Sequence, residues 1–163
     1  MTTTYVGVGS NIEREFNARL AITELSSLGS NIIVSTVYDC ASVDFDSSPF
    51  FNFVVQMDTH LDLTLFSQAL RNIEIKSGRK EDAQKFQDRA LDLDIILFGD
   101  IVSVASPQIP RDDIYRYPFV IQPLYELCPD LVIPNDGRMI KDIWLNMSNL
   151  ESLTKVDFQF DGC

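Results

Sequence analysis

The chain has 163 residues, 45% of them hydrophobic and 23% charged, with a formal net charge of −11. This length fits one domain with a sizeable core, the composition is ordinary for a globular protein, and the acidic balance argues against nucleic acid or an anionic membrane as a partner. The opening Met-Thr-Thr-Thr-Tyr-Val shows no basic segment followed by an apolar one, and no apolar run approaches the roughly 18 residues of a membrane helix. Cys40, Cys128 and Cys163 are odd in number and far apart, with no C-x-x-C pair, so neither a disulfide framework nor a zinc site is expected. A cytoplasmic, reducing setting fits this inventory.

In chain order, Thr3 to Gly9 predicts a first strand. Ser10 with Glu13 has the spacing of a capping box, which predicts a helix through Phe16, Leu20, Ile22, Leu25 and Leu28 that stops at Gly29. Ile32 to Tyr38 is β-branched and strand-like, Cys40 to Pro49 is a polar loop, and Phe51 to Asp58 is the next strand. Leu63 to Lys76 has apolar residues at helical spacing. Gly78 to Asp88 is charged and amide-rich, and reads as a mobile loop leading into an apolar strand that carries Asp92 and Asp94. Ile101 to Val104 offers a short strand. Phe119 to Leu127 is a helix opened by Pro118, and Met139 to Asn149 is a further helix. The order β-α-β-β-α-β is that of the ferredoxin-like split βαβ arrangement, an α+β fold here followed by additional C-terminal helices.

Asp92 and Asp94 carry the clearest chemical signal. Residues two apart on a strand share a face, so the two carboxylates point one way while Leu91, Leu93 and Ile95 point the other. Their separation along the strand is roughly 6.5 to 7 Å, which suits carboxylates bracketing one or two hard cations about 3.5 to 4 Å apart. Such charges need compensation by a metal, by a positive neighbour such as Arg89, or by water. Six of the thirteen Lys and Arg residues fall between Arg71 and Arg89, a local basic stretch that suits a small anionic ligand as well as it suits a solvated helix end.

Other motifs say less by themselves. Gly7-Val-Gly-Ser-Asn11 lacks the third glycine of a dinucleotide fingerprint and the Gly-Lys of a P-loop, so a tight strand-to-helix turn is the simpler reading. Asn52, beside Phe50 and Phe51, offers an amide that can read a heterocycle edge and rings that can cover its face, or equally a turn next to two core phenylalanines. His60 is the only histidine and is given no role, which leaves no credible Ser/His/Asp or Cys/His constellation.

Taken together, these segments resemble the 6-hydroxymethyl-7,8-dihydropterin pyrophosphokinase family. The resemblance runs from Tyr5-Val-Gly-Val-Gly-Ser-Asn11 through Phe50-Phe-Asn52 and Ile73-Glu74 to Gly78-Arg79. It continues with Arg89-Ala-Leu-Asp92-Leu-Asp94-Ile-Ile-Leu-Phe-Gly99 and closes on Phe119 to Pro134. It implies a three-layer α-β-α fold on the ferredoxin-like core. It further implies transfer of pyrophosphate from ATP to the pterin's hydroxymethyl group, with release of AMP. On this resemblance Asp92 and Asp94 hold two Mg²⁺ ions, Arg79 and Arg89 stabilise phosphate charge, and Glu74 and Arg111 belong to the nucleotide side. Asn52 reads the pterin edge with backbone groups near Cys40 and Val43, Phe50 and Phe119 cover its two faces, and Gly78 to Asp88 forms a lid over ATP. The expected partners are ATP and a dihydropterin, with no nucleic acid and no membrane, bound by a monomer.

Several positions depart from the family pattern. Glu81 stands in place of an arginine, Phe86 of a tryptophan, Asp88 of a proline, Arg111 of a histidine, Tyr117 of a basic residue and Phe50 of a tyrosine. The metal and pterin positions are kept while the ATP side and the lid have changed. The alternative is therefore a diverged paralogue that binds a pterin or nucleotide and transfers little, and a more distant one is a ferredoxin-like interaction module without Mg²⁺-dependent nucleotide binding.

Overall fold

The central strands carry apolar side chains on both faces, and helices cover each face. The computed structural model describes residues 1–40, 49–78, 90–158 and 160. Its strands are β1 (Thr2–Ser10), β2 (Ser30–Val34), β3 (Val37–Cys40), β4 (Phe50–Thr59), β5 (Asp92–Phe98) and β6 (Thr154–Val156). Its α-helices are α1 (Arg14–Ser26), α2 (Leu63–Lys76), α3 (Pro118–Leu127) and α4 (Ile140–Leu145). The sheet runs β5-β1-β4-β3-β6, with β2 also on β4, and every pairing is antiparallel. With β2 and β3 taken as one interrupted strand, this is the ferredoxin-like order.

Val6, Val8, Phe51, Phe53, Val55, Met57, Leu93 and Ile95 face α1 and α2, where they meet Ala18, Ala21, Leu25, Phe66, Leu70 and Ile73. On the opposite face Tyr5, Val54, Ile96 and Leu97 meet Val120, Ile121 and Leu124 of α3 and Ile140 and Ile143 of α4. The result is the three-layer α-β-α arrangement. Among the described residues, no helix is long and apolar enough to cross a membrane.

The structure corrects four local expectations. The Ser10–Glu13 capping box does not form: Ser10 is still a strand residue, paired with Phe51, and its hydroxyl donates to the Ile12 carbonyl at 3.1 Å. α1 starts only at Arg14, after Glu13 in a left-handed conformation, and its buried face is Asn17, Ala18, Ala21 and Leu25. Phe16 is 65% exposed, while the two alanines let the helix lie close to the sheet. At the other end of the chain, Ile101 to Val104 makes a single bridge between Ser103 and Ile109 in place of a strand. The last helix ends at Leu145, before the left-handed Asn149, and is followed by β6.

The fourth correction shapes the site. The expected strand Ile32 to Tyr38 is broken at Ser35 and Thr36. Val34 pairs with Val55, but Tyr38 pairs with Asn52, so one extra residue separates the two registers. Val34 and Val37 both point toward α1 and α2 as a result, and Tyr38 and Cys40 emerge on the α3 face. Ser35 holds the break: its N–H donates to the Val54 carbonyl at 2.9 Å, and its hydroxyl accepts from the Val54 N–H at 2.9 Å. Ser35→Ala leaves that buried N–H without its acceptor, and the expected cost is about 1–3 kcal/mol of unfolding free energy, read from urea titration.

Candidate active site

Four strands bring their α3-side residues together at one end of the sheet. Gly9 of β1 lies between Asn52 on β4 and Asp92 on β5, and Tyr38 on β3 lies across from Asn52. Gly7 lies between Val54 and Asp94 in the same way, and Cys40 lies across from Phe50. Adjacent strands are spaced by about 4.8 Å, so Asn52 and Asp92 stand about 9.5 Å apart with only a glycine between them. This bare stretch is the floor of a trough. A Cβ at Gly9 would come within 3.2 Å of Asn52 Oδ1, 3.6 Å of Phe50 Cδ1 and 3.9 Å of Asp92 Cβ. The Gly7-Val-Gly9 motif is therefore neither a turn nor a phosphate loop. Its glycines sit inside a strand and keep the floor open.

Of the residues expected on the pterin side, Cys40, Phe50 and Asn52 fall in one half of this trough. Cys40 is buried, and that burial pushes its thiol up to about 11, which keeps it neutral near pH 7. Phe119 is the second residue of α3, and Tyr117 stacks on it with centroids 4.9 Å apart and planes 19° from parallel. Val43 lies outside the described residues.

The acidic half is built on β5. Asp92 and Asp94 alternate with the core residues Leu91, Leu93 and Ile95, as expected of a strand. Burial and the neighbouring Asp92 push the Asp94 carboxyl up to about 7, and Arg111 opposes the shift. Arg111 Nη2 lies 3.6 Å from Asp94 Oδ1, while its Nε bonds Asp113 Oδ2 at 3.0 Å and its backbone N–H donates to the Ile96 carbonyl at 2.9 Å. Arg111 thus belongs to the same cluster as the carboxylate pair, and Asp113 joins it unforeseen from the sequence. Glu74 sits behind β5: it is buried on α2, and its Oε2 accepts from the Leu93 N–H at 2.8 Å, between the two aspartates. It braces the strand that carries them. Arg79 and Arg89, and all of the expected lid Gly78 to Asp88 except Gly78, lie outside the described residues.

The donor chemistry fits a hard divalent cation. Two carboxylates share one face, Arg111 beside them is also engaged by Asp113, and ionising Asp94 against Asp92 is opposed by burial and by like charge, which a bound cation would offset. A pair of carboxylates is a donor set of the kind that commonly holds Mg²⁺, with substrate phosphates and water completing the shell.

Fold and site define a ferredoxin-like protein with an amide-lined half-site and a paired-carboxylate half-site on one sheet face. The family model described as 7,8-dihydro-6-hydroxymethylpterin-pyrophosphokinase matches residues 5–129, and the chain belongs to that family. The 2-amino-4-hydroxy-6-hydroxymethyldihydropteridine pyrophosphokinase of Haemophilus influenzae is 33% identical over 141 residues, covering 83% of this chain and 87% of the relative. Its counterpart in Pseudomonas aeruginosa is 33% identical over 144 residues, covering 85% and 88%. The fold is also that of a crystal structure of Plasmodium falciparum HPPK-DHPS, with a TM-score of 0.72 at 12% identity over 94% of this chain and 46% of that longer one.

Proposed function

We propose that this protein transfers the terminal pyrophosphoryl group of ATP to the hydroxymethyl oxygen of 6-hydroxymethyl-7,8-dihydropterin, a step of folate biosynthesis. The observation that carries the reading is the row Asn52–Gly9–Asp92, a bare floor joining an amide to a carboxylate. The pterin lies over that floor with its edge toward Asn52 and its ring between Phe50 and Phe119. Its hydroxymethyl group then extends toward β5. The new bond joins the hydroxymethyl oxygen to the β-phosphorus of ATP. The bond from that phosphorus to the α,β-bridging oxygen breaks, AMP leaves with that oxygen, and the hydroxyl proton passes to solvent.

Asp92 and Asp94 are assigned two Mg²⁺ ions, which when bound neutralise the phosphate oxygens and make the hydroxyl more acidic. Arg111 supplies a fixed positive charge beside them, and Arg79 and Arg89 are assigned to the phosphate chain. In this reading the chain is one domain that works as a cytoplasmic monomer. The test is AMP formation from ATP and the dihydropterin. AMP that depends on both the pterin and Mg²⁺, and that EDTA abolishes, is the expected result. A folded protein that binds the pterin but forms no AMP would contradict transfer.

A further inference from the structure

Glu126, near the end of α3, makes contacts that the transfer reaction does not call for. Its Oε1 accepts from the backbone N–H of Thr36 at 2.9 Å, and its Oε2 accepts from the Tyr38 hydroxyl in a short hydrogen bond. Gln122, one turn earlier, donates to the same Oε2 at 3.3 Å and accepts from Trp144 Nε1 of α4 at 2.6 Å. Trp144 in turn stacks on Tyr125, centroids 3.9 Å apart. The network runs from α4 through α3 to the break between β2 and β3.

That break decides which side chains face the trough. Thr36 is one of the two residues at the register change, and its N–H has left the β-ladder, so it needs another acceptor. A continuous strand would turn Tyr38 and Cys40 toward α1 and α2 and bring Val37 and Asp39 to the trough. Glu126 grips both the break and the first trough residue after it. It also fixes the α3 helix, which carries Phe119, against the strand pair that carries Cys40, Phe50 and Asn52.

We propose that Glu126 is a positioning residue for the pterin half of the site: by holding Thr36 and Tyr38 it keeps β3 in the register that completes the trough and sets the gap between Phe119 and Asn52. The proposal builds on the reading of the trough as a pterin site. A carboxylate is suited to the task because both of its oxygens accept, whereas a glutamine has one accepting oxygen for the Thr36, Tyr38 and Gln122 donors. The Tyr38 hydroxyl, pushed up to about 12 by burial and by Glu126, is consistent with a tight pair.

The test compares the affinities of 6-hydroxymethylpterin and of Mg²⁺ with a non-hydrolysable ATP analogue in wild type, Glu126→Gln, Tyr38→Phe and the double variant. The expected result for Glu126→Gln is pterin binding weakened about tenfold with analogue binding held within about twofold, as loss of one charge-assisted bond implies. Tyr38→Phe loses less, and the double variant is no weaker than Glu126→Gln, because the hydroxyl acts through the carboxylate. Unchanged pterin affinity in Glu126→Gln overturns the proposal, as does an equal loss for both ligands. If Glu126→Gln does not fold, Tyr38→Phe decides: a selective pterin loss supports positioning, and unchanged pterin binding overturns it. A wild type that binds no pterin removes the trough reading itself, and the proposal with it.

Discussion

Asp94→Asn lowers the rate of pyrophosphoryl transfer by a factor of about a thousand or more and leaves the protein folded. The aspartate stands on the trough face and contributes nothing to either hydrophobic cluster. Its ionised form is disfavoured by burial and by Asp92, which push its carboxyl up to about 7. A folded-state value above the unfolded one means that the native state loses stability as pH rises from about 4 to about 7. The amide carries no such penalty. In EDTA at about pH 8, Asp94→Asn therefore has a higher Tm than wild type, and the gap closes as pH falls toward 4. Loss of activity with gain of stability is the mark of a group held in place for chemistry. An Asp94→Asn protein that turns over like wild type, or that melts lower at pH 8, contradicts this account of the pair. Asp92→Ala is expected to remove transfer as well.

Gly9→Val closes the trough. Neither Gly7 nor Gly9 has a positive φ, so the strand tolerates a side chain there as backbone, and valine is the better strand residue. What it cannot avoid is the space: its first carbon would already stand 3.2 Å from Asn52 Oδ1, and two methyl groups then cover the floor toward Asp92. Pterin affinity is expected to fall at least about a hundredfold in Gly9→Val and about tenfold in Gly9→Ala, with thermal stability kept. Fluorescence titration with 6-hydroxymethylpterin checks this beside a thermal melt. Undiminished pterin binding in the valine variant would mean that the ring does not lie over β1.

Where one local pattern decides the structure, the chain was legible. Leu63 to Lys76 has helical spacing throughout and a capping Asp62 whose side chain accepts from the Leu65 N–H, and α2 has those bounds. Asp92 and Asp94 share a face because strand periodicity leaves no choice, and the element order sufficed for the sheet order. What escaped depends on partners far away in sequence. Ser10 looked like a cap, but pairing with Phe51 keeps it in β1. Gly7 and Gly9 looked like a turn, and only the registers with β4 and β5 show them as a floor. The β2–β3 break has no glycine or proline to announce it. It is stabilised by Val54 and by Glu126, which lies ninety residues beyond Thr36. β6 is three residues long and gains its order from β3. The amide and carboxylate ends of the candidate site could thus be proposed from sequence, whereas the trough between them and the network behind it could not.

The most direct measurement is phosphorus NMR of the pterin product formed from ATP, Mg²⁺ and 6-hydroxymethyl-7,8-dihydropterin. The account predicts a pterin bearing two mutually coupled phosphorus atoms, with AMP as the adenine nucleotide formed in equal amount. A pterin bearing a single phosphorus with ADP as co-product, or nucleotide cleavage with the pterin left unmodified, would contradict it.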